Sequence, residues 1–231
     1  MAKSKTAEPR EADVAEVEVA EVPSAVNLPH TMAQAAAIRS FTAEDYLTWE
    51  TVQPTRNEYF RGETFAMAGA SEAHAMAAGN VYVALRQHLA GTPCRTFITD
   101  MKLQVRAADA YFYPDVMVTC SAADAADPLV KREPVLLVEV LSPSTAAFDR
   151  GDKFAAFRQL ASLREYLLVD TATRRCDLYR LGPDGLWVLH PVAPGEPVQL
   201  DSVGLTIGAA ALWAEVPAEV PPAPPDERER M

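Results

Sequence analysis

Two acidic residues lie inside segments whose other residues are apolar. Glu139 occurs within PVLLVEVLS, and Asp115 follows Pro114 between the apolar residues 111–113 and 116–118. A buried carboxylate is unfavourable unless a metal ion, a cation or a hydrogen-bond network stabilises it. Pro-Asp alone most often marks a turn or the start of a strand. Two such acids in neighbouring strands, however, can project to one side of a sheet and bind Mg²⁺, which prefers oxygen ligands.

A lysine supplies a third chemical group. Asp149 and Lys153 are four residues apart in a predicted helix, so they share one face. One interpretation is a solvent-exposed ion pair that contributes little to stability. The other is an ammonium directed at Glu139, where it can polarise a water molecule or stabilise charge on a phosphate. The residues alone leave both interpretations open.

Two further residues carry weaker signals. His74 lies near the start of a long predicted helix, on its apolar face, where a lone histidine is more often a hydrogen-bonded core residue. Glu58 and Glu63 flank a predicted hairpin turn, and a hairpin glutamate is usually solvated. Spacing alone gives none of them a role.

Length and composition favour one globular domain with two tails. The chain has 231 residues, of which 49% are hydrophobic and 23% charged. Residues 1–38 are rich in Ala, Glu and Val and are predicted to be a disordered extension. Residues 215–231 are predicted to be a disordered, Pro-rich and charged tail. The folded domain is therefore expected over residues 39–214.

The net charge argues against a broad basic surface. The total is −11, of which −3 falls on residues 1–30 and −3 on residues 215–231, so −5 remains between them. An acidic domain does not favour tight, non-specific binding to nucleic acid. It does not exclude a nucleic-acid enzyme, because acidic residues that hold metal ions themselves add negative charge.

The cysteines and the hydropathy pattern predict a cytoplasmic protein. Cys94, Cys120 and Cys176 are far apart and form no C-x-x-C pair, so we expect neither a disulfide nor a zinc site. The N-terminus lacks the apolar stretch of a secretory signal, and no run of 18 apolar residues predicts a membrane span. Motifs for dinucleotides, P-loops, H-E-x-x-H proteases and G-x-S-x-G esterases are also missing from the sequence.

Helix and strand signals alternate along the chain. FTAEDYLTWE predicts a short helix capped by Thr42, Arg61-Gly62 predicts a hairpin turn, and a long helix is predicted to begin at Ser71. Strands are predicted in CRTFITDMKLQV, in YFYPDVMVTC and in PVLLVEVLS. A second helix over about residues 148–161 precedes strands in EYLLVD, RRCDLYRL and GLWVLH.

The most specific feature is the order of several short motifs. They are E-Y-x-x-G-E at residues 58–63, S-x-x-H at 71–74, Y-P-D-V at 113–116, V-E-V-L-S-P-S-T at 138–145, D-x-x-x-K at 149–153 and R-E-Y-L-L-V-D at 164–170. In this order they resemble the Uma-type family of restriction-endonuclease-like proteins, within the PD-(D/E)XK nuclease superfamily. The resemblance covers about residues 40–212.

This resemblance implies a fold and an activity. The fold is α/β (α+β), a restriction-endonuclease-like mixed β-sheet flanked by helices. The activity is hydrolysis of phosphodiester bonds, most often in DNA, with Mg²⁺ or alternatively Mn²⁺ as the cofactor. The resemblance also leads us to expect a homodimer.

The resemblance also implies roles for individual residues. Asp115, Glu139 and Glu58 would bind the metal ion, helped by a backbone carbonyl near Val140. Lys153 would act beside the attacking water or the phosphate. His74 would be a supporting polar residue.

One departure from the superfamily pattern concerns the lysine. The pattern E-x-K places a lysine two residues after the acid, but here Leu141 occupies that position, and Lys153 must substitute from the next helix.

Two alternatives to a nuclease remain open. One is a nuclease-fold protein that binds or regulates without cutting, and the other is a structural protein in which Glu139 pairs with a buried lysine or arginine. Whether the substrate is double-stranded DNA, single-stranded DNA or RNA also stays open.

Overall fold

The computed structural model describes residues 41–67 and 69–218. The predicted N-terminal extension and most of the predicted C-terminal tail lie outside these residues. Packed structure continues past residue 214, because Val216 is buried and its carbonyl accepts a hydrogen bond from Arg174.

Most of the helices are short. The longest, with 17 residues, is the second. The helices are α1 (Ala43–Glu50), α2 (Glu72–His88), α3 (Ala122–Ala126), α4 (Ala146–Phe148), α5 (Phe154–Phe157) and α6 (Ala209–Leu212), with a 3₁₀ turn at Arg106–Ala108 and a π-helical turn at Asp149–Lys153. Within residues 41–67 and 69–218, no helix combines the length and the apolar character needed to cross a bilayer.

In the part of the chain that the structure describes, the strands form two larger mixed sheets and one small antiparallel sheet. The strands are β1 (Asn57–Phe60), β2 (Glu63–Ala66), β3 (Arg95–Ile98), β4 (Lys102–Val105), β5 (Ala110–Phe112), β6 (Val116–Thr119), β7 (Val130–Lys131), β8 (Pro134–Val140), β9 (Glu165–Asp170), β10 (Arg175–Leu181), β11 (Trp187–Val192), β12 (Val198–Leu200) and β13 (Leu205–Ile207). The strand orders are β2-β1-β5-β4-β7, β11-β10-β9-β8-β6-β3 and β12-β13. In the larger sheets the pairs β4–β7 and β8–β9 are parallel and the other pairs are antiparallel. The predicted fold of mixed sheet and flanking helices is confirmed.

Strand β8 separates two halves of the core. Leu136 and Val138 pack in the cluster that includes the apolar face of α2. Leu137 packs in the second cluster, together with Phe157 of α5. Because side chains alternate along a strand, Glu139 points toward this second side.

Local sequence signals explain the elements before β3. Thr42 and Asp45 form a reciprocal capping box at the start of α1, and the Ser71 side chain caps α2. The β1–β2 turn lies at the predicted position. Arg61 has a φ of 53° and Gly62 a φ of 91°, the left-handed geometry that two-residue hairpins require.

The two segments predicted to form strands before β8 each form two strands. CRTFITDMKLQV divides into β3 and β4, YFYPDVMVTC divides into β5 and β6, and in each case the two halves belong to different sheets. Thr99 at the first break has a φ of 52°, and Pro114 at the second cannot donate a backbone hydrogen bond. The Thr99 N–H donates to the Asp115 carbonyl at 2.9 Å, so the two breaks lie side by side.

The second predicted helix is irregular at its centre. Helical structure runs from Ala146 to Phe157, but Asp149–Lys153 forms a π-helical turn between α4 and α5. Such turns are rare and often occur at functional sites. Asp149 and Lys153 are both buried, so a solvent-exposed pair was the wrong interpretation.

The prediction that the cysteines form no disulfide was also wrong. Cys94 and Cys120 form a disulfide across β3 and β6, next to the pair Arg95–Thr119. Antiparallel pairing brings these cysteines together although they are 26 residues apart, so their sequence spacing gave no signal. Cys176 is a buried free thiol.

Candidate active site

The two predicted acids lie beside each other at the strand break. The β6–β8 register pairs Val116 with Val138, and its continuation by one residue places Asp115 opposite Glu139. The Asp115 N–H lies 3.4 Å from Glu139 Oε2, and the Val140 N–H donates to Asp115 Oδ2 at 2.7 Å. Strand β5 of the other sheet ends at Phe112, and Asp115 follows Pro114 just before β6.

Lys153 reaches these acids from the π-helical turn. Its Nζ lies 2.8 Å from Glu139 Oε1, 3.0 Å from Glu58 Oε1 and 3.5 Å from Asp149 Oδ1. The residue is only 4% exposed, and its ammonium also lies 5.5 Å from the centre of the Phe112 ring. The structure therefore places the lysine next to Glu139 although it is absent from the E-x-K position.

Glu58 joins the group from the β1–β2 hairpin. Besides its contact with Lys153, Glu58 Oε1 accepts a hydrogen bond at 3.0 Å from the N–H of Tyr113, the residue before Pro114. The Tyr113 hydroxyl in turn donates to buried Glu50, which Lys102 also contacts at 3.0 Å. This network fixes the strand break and the hairpin glutamate in one arrangement.

His74 contacts the group from the first turn of α2. Its Nε2 lies 3.0 Å from Asp115 Oδ1, and its side chain is 19% exposed. We call the six residues the acidic centre; they are Glu58, His74, Asp115, Glu139, Asp149 and Lys153.

Two surface depressions, of about 150 and 210 Å³, are lined by residues outside the acidic centre. Among the ion-paired side chains of the acidic centre, that of His74 is the most exposed.

The acidic centre carries more negative than positive charge. Three carboxylates contact Lys153, and a fourth, that of Asp115, lies beside Glu139. Burial raises the pKa of the Glu139 carboxyl well above its usual value; Lys153 opposes the rise, and the neighbouring carboxylates add to it. Burial by itself lowers the pKa of the Lys153 ammonium, but the carboxylates, Glu139 first, raise it well above its usual value. A further cation would relieve this excess of negative charge.

Two carboxylates of the acidic centre, and not a complete set of protein ligands, provide the donor atoms for a hard cation. No three acidic, His or Cys side chains in the described residues form a group that could hold a metal ion by themselves. Glu139 Oε1 is buried beside the Lys153 ammonium, yet within residues 41–67 and 69–218 it accepts no well-directed hydrogen bond. Mg²⁺ commonly uses one or two carboxylates and keeps several waters. Asp115 and Glu139 provide such a pair.

All five residues predicted to form the site come together. Lys153 contacts Glu139 and Glu58, His74 contacts Asp115, and Asp115 contacts Glu139 through its backbone. The chemical roles of these residues stay predictions.

Asp149 was not predicted to belong to the site. Its spacing from Lys153 was the available signal, but that spacing is equally typical of a surface pair. Tyr166, whose hydroxyl donates to the Asp149 carbonyl at 3.1 Å, gave no signal at all, because an aromatic residue in an apolar strand usually packs in a core.

Comparisons with known proteins agree with this architecture. Residues 43–211 match the model of the Uma2 family, which is described as "Putative restriction endonuclease". Uncharacterized protein slr1290 of Synechocystis sp. is 35% identical over 178 residues, which are 77% of this chain and 94% of the relative. Uncharacterized protein sll1609 of the same organism is 34% identical over 156 residues, 67% of this chain and 88% of the relative.

A solved structure shares the fold. It is the crystal structure of a "putative nuclease belonging to DUF820" from Anabaena variabilis, with a TM-score of 0.62 and 15% sequence identity. The similarity covers 74% of this chain and 97% of that one. The fold is therefore restriction-endonuclease-like, and the chain belongs to the Uma2 family.

Proposed function

We propose that this protein is an endonuclease that hydrolyses phosphodiester bonds in DNA with the help of Mg²⁺, or alternatively Mn²⁺. The observation that carries the proposal is the position of Asp115 beside Glu139, with Lys153 Nζ 2.8 Å from the Glu139 carboxylate. The membership in the Uma2 family supports the same class of activity.

Asp115 and Glu139 would hold the metal ion. When bound, such an ion lowers the pKa of a coordinated water and stabilises negative charge on a phosphate. The N–H of Val140 and the His74 ring fix the two oxygens of Asp115, which orients this ligand before the metal arrives.

Lys153 would act on the phosphate or on the attacking water. It is a buried cation beside the proposed ligands, and the burial strengthens its electrostatic effect. Glu58 and Asp149 orient its ammonium through contacts of 3.0 and 3.5 Å. Glu58 is also the predicted third metal ligand. We assign it primarily the role of positioning Lys153, because its carboxylate contacts the Lys153 ammonium.

The two alternatives differ from this proposal in measurable ways. A purely structural role for Glu139 would need only its ion pair with Lys153. Three more carboxylates at the same place add repulsion that such a role does not require. A nuclease-fold protein that binds without cutting would retain affinity for the metal or for nucleic acid and show no cleavage.

The test is a cleavage assay on plasmid DNA, linear duplex DNA, single-stranded DNA and RNA. We expect Mg²⁺-dependent cleavage of at least one DNA form by the wild-type protein, its loss in EDTA, and its loss in Glu139→Gln. The matched control is Glu165→Gln, which changes a buried glutamate outside the acidic centre and should still cleave. Metal or nucleic-acid binding without cleavage would favour the binding protein, and equal cleavage by Glu139→Gln would overturn the proposed site.

A further inference from the structure

A row of aromatic rings leads from the acidic centre to the surface. Phe112 is fully buried beside the Lys153 ammonium, and its ring centre lies 6.2 Å from that of Phe148. The Phe148 ring is partly buried and lies 6.0 Å from that of Phe65, which is 43% exposed. The rings thus become more exposed with each step away from the lysine.

The strand register places the outermost ring beside the acidic centre. Phe65 pairs directly with Glu58 across the β1–β2 hairpin, so both side chains project from the same face of the sheet. Strand β2 is an edge strand, and all four of its residues are exposed. Phe148 immediately precedes Asp149, which contacts Lys153. Phe65 and Phe148 therefore lie at the border of the acidic centre.

A cation lies next to the same row. Arg61 in the hairpin turn is exposed, and its guanidinium lies 4.7 Å from the centre of the Phe60 ring. Phe60 in turn contacts both Phe112 and Phe148. An exposed ring with a basic residue near it is the combination that proteins use for unpaired nucleotides, because a base stacks on the ring while the cation attracts the backbone.

We propose that Phe65, supported by Phe148, is a stacking site for an unpaired base of the nucleic acid whose phosphate lies at Lys153. This inference rests on the proposed function and extends it to a substrate class. The substrate would be a strand with an accessible base, single-stranded or locally opened. Inside a paired and stacked duplex, no base presents its face to an exposed side chain.

The test compares oligonucleotides with and without bases. A short single-stranded oligothymidylate and an abasic oligomer of the same length are titrated in the Glu139→Gln background, so that the strand is not cut. We expect tighter binding of the oligothymidylate by about 5- to 100-fold, the range for stacking of one base. Phe65→Leu should lose this preference, because it keeps an apolar side chain but removes the ring, whereas Phe65→Tyr should keep it.

The control is Val83→Ala, which changes an exposed apolar residue of α2 and should leave the preference unchanged. Equal affinities of Phe65→Leu and its parent for the oligothymidylate would overturn the stacking site while leaving the proposed function intact. Weaker self-association of Phe65→Leu with unchanged DNA binding would also overturn it, since the ring would then be a subunit contact. If the wild-type protein neither binds nor cleaves any nucleic acid, the proposed function fails as well.

Discussion

Glu139 and Glu165 are buried glutamates on adjacent strands, and their surroundings differ. Glu165 is 0% exposed, and its Oε1 accepts from the Arg180 guanidinium at 2.7 Å and from the Asp201 N–H at 3.1 Å. Its Oε2 accepts from the Ser202 N–H at 2.8 Å. Glu139 has a lysine at 2.8 Å and a backbone N–H at 3.4 Å, and three other carboxylates surround the same lysine or lie beside it.

The difference separates an acid that fixed donors satisfy from one that they do not. Fixed donors satisfy Glu165 fully, so its charge needs nothing further. The surroundings of Glu139 leave negative charge without a partner, and groups of this kind concentrate at functional sites because a ligand or metal completes them. The same residue type in similar apolar strands thus has two different environments.

The largest expected effect is on activity. Glu139→Gln and Asp115→Asn should abolish cleavage and Mg²⁺ binding, because each removes a charged ligand. The folded state should keep or gain stability, since each change also removes a buried acid from a repulsive group. Asn is preferable to Ala at residue 115, because its oxygen can still accept from the Val140 N–H. Isothermal titration with Mg²⁺ and urea unfolding measure the two effects; unfolded variants would instead assign these acids to structure.

The second largest expected effect is on the free energy of unfolding of the metal-free protein. Lys153→Met should lower the free energy of unfolding in EDTA by about 3 kcal/mol, since buried carboxylates lose their cation. Mg²⁺ should restore part of this loss and raise the melting temperature more than in the wild-type protein. Lys131→Met is the matched control, because Lys131 is 2% exposed but donates to backbone carbonyls of Asp124 and Asp127. An equal response of both variants to Mg²⁺ would contradict the prediction.

A smaller change in the free energy of unfolding is expected for Glu165. Glu165→Gln should lower the free energy of unfolding by about 2 kcal/mol, because Arg180 loses one partner but keeps Asp201 at 2.9 Å. Cleavage per folded molecule and the Mg²⁺-induced shift in melting temperature should not change. A large loss of cleavage with intact folding would show that the contrast between the two glutamates is wrong.

The smallest effect concerns thiol labelling of the three cysteines. Cys94 and Cys120 are joined beside the Asp115 strand, and burial raises the pKa of Cys176, on β10, to about 12. The native, unreduced protein should therefore show no reactive thiol at neutral pH. Denaturation should expose one thiol, and denaturation with reduction three. Three thiols in the denatured, unreduced protein would show that the disulfide is absent.

Many local elements could be predicted because their causes are local. The Thr42 capping box and the Arg61-Gly62 turn depend on residues within one turn of chain. The division of two predicted strand segments between different sheets could not be predicted, because the apolar character of a segment does not indicate which sheet it joins. The Cys94–Cys120 pair was missed for a similar reason, since register and not spacing brings the two together.

The amino-acid types and their local patterns define the chemistry available to this protein. They mark Asp115 and Glu139 as acids in apolar strands, and they place Asp149 and Lys153 on one helical face. Which of these groups meet could be seen only in the folded chain, because contacts between distant segments depend on strand register and on breaks such as that at Pro114. The register of β6 and β8 sets Asp115 beside Glu139, and packing of the π-helical turn between the sheets brings the Lys153 ammonium within 2.8 Å of that carboxylate.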